Sequence, residues 1–306
     1  MPDTTTPDPT SASPPPLTPA HALDRRRNAW RPELAAESLR GTVDAERYVE
    51  GQPYQVMRAS IAMRRDPSAG AGLDTELIFG EVITVYDVAE GWAWGQLERD
   101  GYVGYVPADA LSDRVTPPTH RVSAIGTFLY SGADIKTPPL MHLSINAALA
   151  VADSTDRFSR LEHGGFVVNR HIAPIGRHAR DFVDIGERLI GTPYLWGGRT
   201  RVGIDCSGLV QLAMEAAGLA CPRDSDMQQA EVGTALMIPD PLDGLLRGDL
   251  VFWRGHVGVM TDGVMLLHAN AHHMAVVAEP LEIAVQRIAR TGSEIVAIKR
   301  PAALGA

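Results

Sequence analysis

The sequence predicts an α+β protein, and three features of the chain carry that prediction. Short alternating strands punctuated by turn residues fill 54–106, a weaker passage of the same texture follows at 127–168, and after Pro174 a helical periodicity gives way to closely spaced apolar strands. The expected architecture is two small β-barrels followed by a unit in which helices pack on an antiparallel sheet.

Composition fits that plan. The chain has 306 residues, enough for about two domains at ~150 residues each, so a core can form without disulfides. Hydrophobic residues make up 45% and charged residues 21%, as in ordinary water-soluble folds, and no apolar run approaches the ~18 residues of a membrane span. A formal net charge of -9 opposes binding to phosphate backbones and anionic lipid, so neither nucleic acid nor membrane is an expected partner. The opening MPDTTTPDPTSASPPPLTP has no basic n-region and no apolar h-region, so cytoplasmic residence is expected.

Along the chain, residues 1–20 are Pro, Thr, Ser and Asp with little to bury and read as a disordered tail. Residues 21–50, with Trp30, Leu34, Ala35 and Leu39 at helical spacing, read as a helical segment. The first barrel is expected at 51–115, with turns at Asp66-Pro67, Gly80, Glu90-Gly91 and Asp100-Gly101. A second, shorter one is expected at 116–175, because Gly101-Tyr102-Val103 and Gly165-Phe166-Val167 both set aromatic and β-branched residues just after glycine. Residues 176–306 form the remaining unit. There, one helical face is marked by Phe182, Ile185 and Leu189, a second helix starts at Cys206 behind an Asp205 N-cap, and strands follow at 250–253, 256–260, 264–268 and 295–298.

Cys206 opens a helix, where unpaired N–H groups and the macrodipole favour a thiolate, so a lowered thiol pKa and a nucleophilic role are expected there. Cys221, ahead of Pro222 with no base nearby, reads as a packed hydrophobe. A thiol nucleophile needs a base and a group that orients it. His256 and His268 supply both if a three-residue loop, Thr261-Asp262-Gly263 with a left-handed glycine, sets them directly opposite each other; a two-residue turn at Asp262-Gly263 would put them on opposite faces. His268, His272 and His273 also raise a zinc reading. The strand-and-turn setting and the missing carboxylate ligand disfavour it, and no metal or cofactor is expected.

The pieces Thr192-Pro193-Tyr194-Leu195-Trp196-Gly197-Gly198, Asp205-Cys206-Ser207-Gly208, Gly248-Asp249-Leu250 with His256-Val257-Gly258-Val259, and Leu267-His268-Ala269 occur in one order and spacing. On these motifs, residues 178–300 resemble the NlpC family of papain-like cysteine endopeptidases that cleave murein peptides, and the front strands resemble bacterial SH3-like domains. The resemblance implies Cys206 as nucleophile, His256 as base, His268 as the polar third member and Tyr194 beside the oxyanion. With the front domains included, the chain is similar to γ-D-glutamyl-L-diamino-acid endopeptidases of the dipeptidyl-peptidase VI subgroup. That likeness implies a site for a free N-terminal amine made by Glu81, Tyr102, Asp205 and Ser207, and a murein peptide of the type L-Ala-γ-D-Glu-diamino acid as substrate. Thiol acyltransfer or amidase chemistry on the same fold, and a catalytically inactive murein-binding protein, stay open as alternatives.

Overall fold

The computed structural model describes residues 23–302, so the expected tail at 1–20 lies outside the described residues. In the first front unit, Leu111–Ser112, Gln52–Val56, Val82–Ala89, Trp92–Leu97 and Val103–Pro107 form an antiparallel sheet in that order. A hairpin of Ser60–Met63 with Thr75–Ile78 completes its core, where Ile61, Met63 and Leu77 pack with Val56, Ile83, Leu97 and Val106. The alternation of Val82–Ala89 puts Ile83 and Val85 inside, and Ala89 pairs with Trp92 across a two-residue turn. Glu90 and Gly91, with φ of 51° and 81°, take the left-handed conformations that such a tight hairpin requires.

The second unit has a five-stranded sheet in the order Pro139–Ser144, Gly126–Tyr130, Phe166–Val168, Phe158–Leu161, Val151–Ser154, and a three-stranded sheet of Ala148–Leu149, His120–Val122 and Ile172–Pro174. Both units end alike, with strand, one 3-10 turn and strand: Val103–Pro107, Ala108–Ala110, Leu111–Ser112 in one, and Phe166–Val168, Asn169–His171, Ile172–Pro174 in the other. Ile78 and Phe79 of the first unit are buried in the second unit's core with Val122 and Leu143. At that junction Gly80 (φ +83°) lies so close to the Ala148 carbonyl that a Cβ would stand 2.0 Å from its oxygen.

The expected helical segment at 21–50 is not a helix in its described part. Trp30–Arg31, Leu34–Ala36 and Tyr48–Val49 form a small three-stranded sheet, and only Glu37–Leu39 turns as a 3-10 helix. The apolar spacing has a tertiary purpose. Ala29, Leu34 and Ala36 bury against Trp94 of the first unit, and the Arg31 guanidinium lies 4.6 Å from the Trp94 ring centroid.

The rear unit has helices α1 (Phe182–Glu187), α2 (Cys206–Ala216) and α3 (Ser225–Glu231), then strands β1 (Thr234–Leu236), β2 (Leu250–Trp253), β3 (His256–Met260), β4 (Met265–Asn270) and β5 (Ala275–Pro280), helix α4 (Leu281–Ala289) and strand β6 (Ile295–Arg300). The sheet order is β1-β6-β2-β3-β4-β5, all antiparallel. Alternate residues face opposite sides: Leu250, Phe252, Val257 and Leu267 pack on α1 and α2, while Val251, Trp253, Met260 and Leu266 pack with Leu281 and Ala284 of α4. Strand β2 is therefore buried on both faces and reads as an unbroken apolar run. Helix α2 lies deep in the unit, with every residue from Cys206 to Met214 buried.

The first unit docks on α2 through buried charge. Arg199, fully buried, pairs with Glu81 at 2.8 Å and Glu215 at 2.9 Å, while Arg99 bridges Glu81, Asp100 and Glu215. Asp100 also accepts a hydrogen bond from Gln211 of α2 at 2.9 Å. Removing one partner from such a cluster leaves a buried charge uncompensated. Glu81→Gln is therefore expected to destabilise the docked protein by roughly 3 kcal/mol, read as a clear fall in melting temperature; an unchanged melting curve would mean that the cluster does not hold the units together.

Candidate active site

The start of α2 is fixed by its cap. The Asp205 carboxylate accepts from the Gly208 N–H at 2.7 Å and, with its other oxygen, from the Gly197 N–H at 2.8 Å, which ties the loop before the helix to its first turn. Arg223, 1% exposed, grips both Asp205 oxygens at 3.0 and 2.7 Å, donates to Ser207 Oγ at 2.9 Å and donates from Nε to Thr75 Oγ1 of the first unit at 2.8 Å. Cys206 is thereby held at the wall of a cavity of about 280 Å³, whose lining includes Tyr194, Trp196, Ser207, Tyr102 and Asp224. Cys221 is buried and does not line that cavity; its thiol lies 3.6 Å from the Pro222 carbonyl.

The expected low thiol pKa is not what the surroundings produce. Burial, and next the adjacent Asp205 carboxylate, push the Cys206 thiol up to about 12, against the N–H groups of Val257 and Ser207 and the more distant Arg223. Burial also brings His256 down to about 3, with His268 and Arg287 adding to the effect. At rest both groups are neutral, a thiol at the start of α2 and an imidazole on β3. Burial, helped by the negative charge that the cap brings with it, outweighs the helix end.

The two histidines meet, by a different register from the one expected. Met260 pairs with Leu266 and Val259 with Leu267, and the loop is Asp262-Gly263-Val264, closed by the Thr261 N–H to the Met265 carbonyl at 2.8 Å. The Asp262 side chain, accepting from the Val264 and Met265 N–H groups at 2.7 and 2.8 Å, organises the turn in place of a left-handed glycine. His256 and His268 are thus diagonal, not directly opposite. The even shift keeps them on one face. Gly258 makes the diagonal contact possible: a Cβ there would lie 3.2 Å from His268 Cβ, and without it His256 Nε2 reaches His268 Nδ1 at 2.9 Å.

His268 is fully buried, and its other nitrogen, Nε2, lies 2.7 Å from Glu279 Oε1 on β5. Glu279 is in turn held by Arg287 of α4, with Nη1 2.6 Å from Oε2. Burial opposes ionisation of Glu279, yet the bonds from Arg287 and His268 outweigh it and bring the carboxyl down to about 2. This fixes the protons. An ionised carboxylate only accepts, so His268 donates from Nε2; burial keeps His268 neutral, so its Nδ1 accepts from His256 Nε2–H. The free lone pair of His256 is then on Nδ1, the nitrogen a base would use.

The four residues expected around an amine are divided by the structure. Tyr102 lines the cavity and donates its hydroxyl to Asp224 Oδ2 at 3.1 Å. Ser207 lines it too, but its Oγ accepts from Arg223. Asp205 is present, yet Gly197, Gly208 and both Arg223 Nη groups occupy its carboxylate, which leaves little acceptor capacity for a ligand. Glu81 is absent from the cavity wall, because Ile78 N–H, Arg199 and Arg99 engage it in the docking cluster. Sequence reasoning passed over Asp224, Arg223, Arg26 and Glu279. Asp224 precedes α3, and the sequence Arg223-Asp224-Ser225 ahead of a helix was the available signal. Arg26 reaches in from the N-terminal segment to Asp224 at 2.8 Å and Asp226 at 2.7 Å.

A thiol at the start of a buried helix, packed against a sheet that carries a paired histidine relay, defines a cysteine peptidase of papain-like fold. Residues 191–288 match the NlpC/P60 family and residues 63–111 the bacterial dipeptidyl-peptidase Sh3 domain, so the chain carries an NlpC/P60 domain joined to an SH3 domain. It is 29% identical over 222 residues to a γ-D-glutamyl-L-lysine dipeptidyl-peptidase of Bacillus subtilis, covering 64% of this chain and 72% of the relative. It is 23% identical over 291 residues to a protein of the same name from Bacillus cereus, covering 85% and 83%. The crystal structure of a Bacillus cereus NlpC/P60 family protein superposes with a TM-score of 0.69 at 19% identity, over 82% of this chain and 99% of the other, and shares the fold.

The neutral resting thiol has a measurable consequence. While the pH stays below a thiol pKa pushed up to about 12, the thiolate fraction rises roughly tenfold with each unit of increasing pH. Alkylation of Cys206 by iodoacetamide is expected to climb steadily from pH 6 to 9 and to outpace Cys221 throughout. A rate already level across this range would show a thiolate–imidazolium pair instead.

Proposed function

We propose that this cysteine peptidase hydrolyses short murein peptides with a free N-terminal L-Ala, cutting between the γ-carboxyl of D-Glu and the following diamino acid, in cytoplasmic recycling of cell-wall peptides. The observation that carries this reading is the end of the nucleophile's cavity where Asp74, Asp224, Asp226 and Tyr102 converge with Arg26 and Arg65, carboxylates outnumbering cations. Burial raises the pKa of Asp224 despite Arg223 and Arg26, so its charge is only partly compensated and gains from a further cation. A substrate ammonium set between Asp224 and Tyr102 supplies one. A cavity of about 280 Å³ suits a dipeptide better than a polymer strand. The names of the Bacillus relatives, γ-D-glutamyl-L-lysine dipeptidyl-peptidases, support the same bond and the same removal of two residues. Of the amine site expected from Glu81, Tyr102, Asp205 and Ser207, this reading keeps Tyr102 and sets Asp224 in place of the other three.

The residues act in sequence. His256 Nδ1 takes the Cys206 proton as Sγ attacks the γ-carbonyl carbon, and the Tyr194 hydroxyl, kept protonated by burial, donates with the Cys206 backbone N–H to the developing oxyanion. The tetrahedral adduct collapses, the C–N bond breaks, and His256 gives its proton to the leaving amine. Water, deprotonated by His256, then cleaves the thioester, releasing L-Ala-D-Glu and restoring the thiol. Glu279 acts through His268, holding its tautomer and favouring the imidazolium that forms transiently on His256. No helix among the described residues is long and apolar enough to cross a membrane. Residues 51–115 wall the cleft, and residues 116–175 brace that wall against the catalytic unit at 176–306.

Cys206→Ala is expected to abolish release of L-Ala-D-Glu from L-Ala-γ-D-Glu-diaminopimelate, followed by mass spectrometry; retained turnover would end the thiol mechanism. N-acetylating the substrate should cut kcat/KM roughly a hundredfold, and Asp224→Asn should narrow that gap. Equal rates for free and acetylated peptide would remove the amine site and leave Cys206 chemistry intact. Glu279→Gln should lower kcat about tenfold or more at nearly constant KM, with Glu279→Asp recovering part of it; a matching rise in KM with kcat intact would assign Glu279 to substrate binding.

A further inference from the structure

A concentration of unpaired positive charge lies away from the thiol, in a cavity of about 710 Å³ between the second front unit and α1. Its floor is Arg121, and its rim carries the exposed Arg170, Arg177, Arg180 and Arg188. In a chain of net charge -9, five guanidiniums around one hollow are not a reflection of composition. None of the five forms an ion pair among the described residues, whereas Arg247, also on the wall, is held by Asp181 and Glu187. Asp184 is the one wall carboxylate outside such a pair.

Arg121 sharpens the case. Three arginines are buried among the described residues; Arg199 and Arg223 are matched by carboxylates and Arg121 is not. Its Nη groups donate to Asn146 Oδ1 at 3.1 Å and to the carbonyls of Arg177 and Ala216 at 2.9 and 2.7 Å, and its Nε has no partner. Burial lowers its pKa, the mark of a cation short of counter-charge. Buried charges are ordinarily paired, and a guanidinium fork matches the oxygens of phosphate or carboxylate.

We propose that this cavity is a binding site for a small polyanion, a phosphate- or carboxylate-bearing molecule of at least two negative charges, held by the rim arginines above Arg121. The site is independent of the cleavage reaction. Its ligand would meet the end of α2 opposite Cys206, because Arg121 donates to the carbonyl of Ala216, the last residue of that helix.

Titration calorimetry of the full chain at low ionic strength tests this, with pyrophosphate as the phosphoryl probe, citrate as the carboxylate probe and acetate as the monovalent control. Saturable one-to-one binding of pyrophosphate or citrate is expected, at least tenfold tighter than acetate, with the tighter of the two probes identifying the ligand's chemistry. The double variant Arg180→Ala/Arg188→Ala, confined to exposed positions, should weaken it at least tenfold, and Arg121→Met should abolish it if that variant folds by circular dichroism. If Arg121→Met does not fold, the rim variant decides alone. No binding, binding no tighter than acetate, or binding indifferent to the rim variant overturns the proposal.

Discussion

Arg223, wholly buried, holds both oxygens of Asp205, and through that one bidentate bond several segments meet: the glycine loop at 197–198, the first turn of α2, the chain entering α3, and Thr75 of the first front unit. A carboxylate capping a buried helix needs a counter-charge that does not compete for the capping geometry, and a guanidinium fork provides one from the side. Loss of that cation would leave a bare charge next to the nucleophile. The position of Cys206, the lining of its cavity and the closeness of the front unit all follow from this contact.

Electrostatics in the site are arranged by distance from the thiol. Close to it, burial and the Asp205 charge keep the thiol and imidazole neutral. Farther away, the ion pair of Glu279 with Arg287 remains charged and sets the direction of every hydrogen bond between itself and His256. Charge is thus stationed where it orders protons and withheld where it would have to be desolvated again at each turnover.

Legibility from sequence followed locality. The placement of Cys206, His256 and His268 is legible because each stands at a recognisable place in its own element, a helix start or a strand within an apolar run. The register of the hairpin between the histidines differs from expectation because the side chain of Asp262, and not the glycine beside it, organises the turn. The docking role of Glu81 is not legible locally, because its partner Arg199 is 118 residues away and no local pattern separates a docking carboxylate from a ligand-binding one. Glu279 was hidden in the same way: β5 looks like an ordinary alternating edge, and only its pairing of Val277 with His268 brings the carboxylate within reach of the imidazole. The N-terminal strands look like helix in the sequence because short apolar spacings serve either structure until a tertiary surface, here Trp94, selects one.

The charged joint between the first unit and α2 also bears on how such a chain can be inherited. Arg199 and Glu215 belong to the rear half, while Glu81, Arg99 and Asp100 belong to the front. The front half sets one arginine against two carboxylates, and in the rear half Arg199 and Glu215 each also bond to a front residue, so neither half keeps its full set of partners alone. A recombination event that moved the rear half onto a foreign partner would carry Arg199 into an apolar interface without Glu81, and a fusion would have to rebuild the counter-charges before it gained a stable fold. The two halves are therefore expected to travel together, with substitutions at 81, 99 and 199 tied to one another although they lie far apart along the gene.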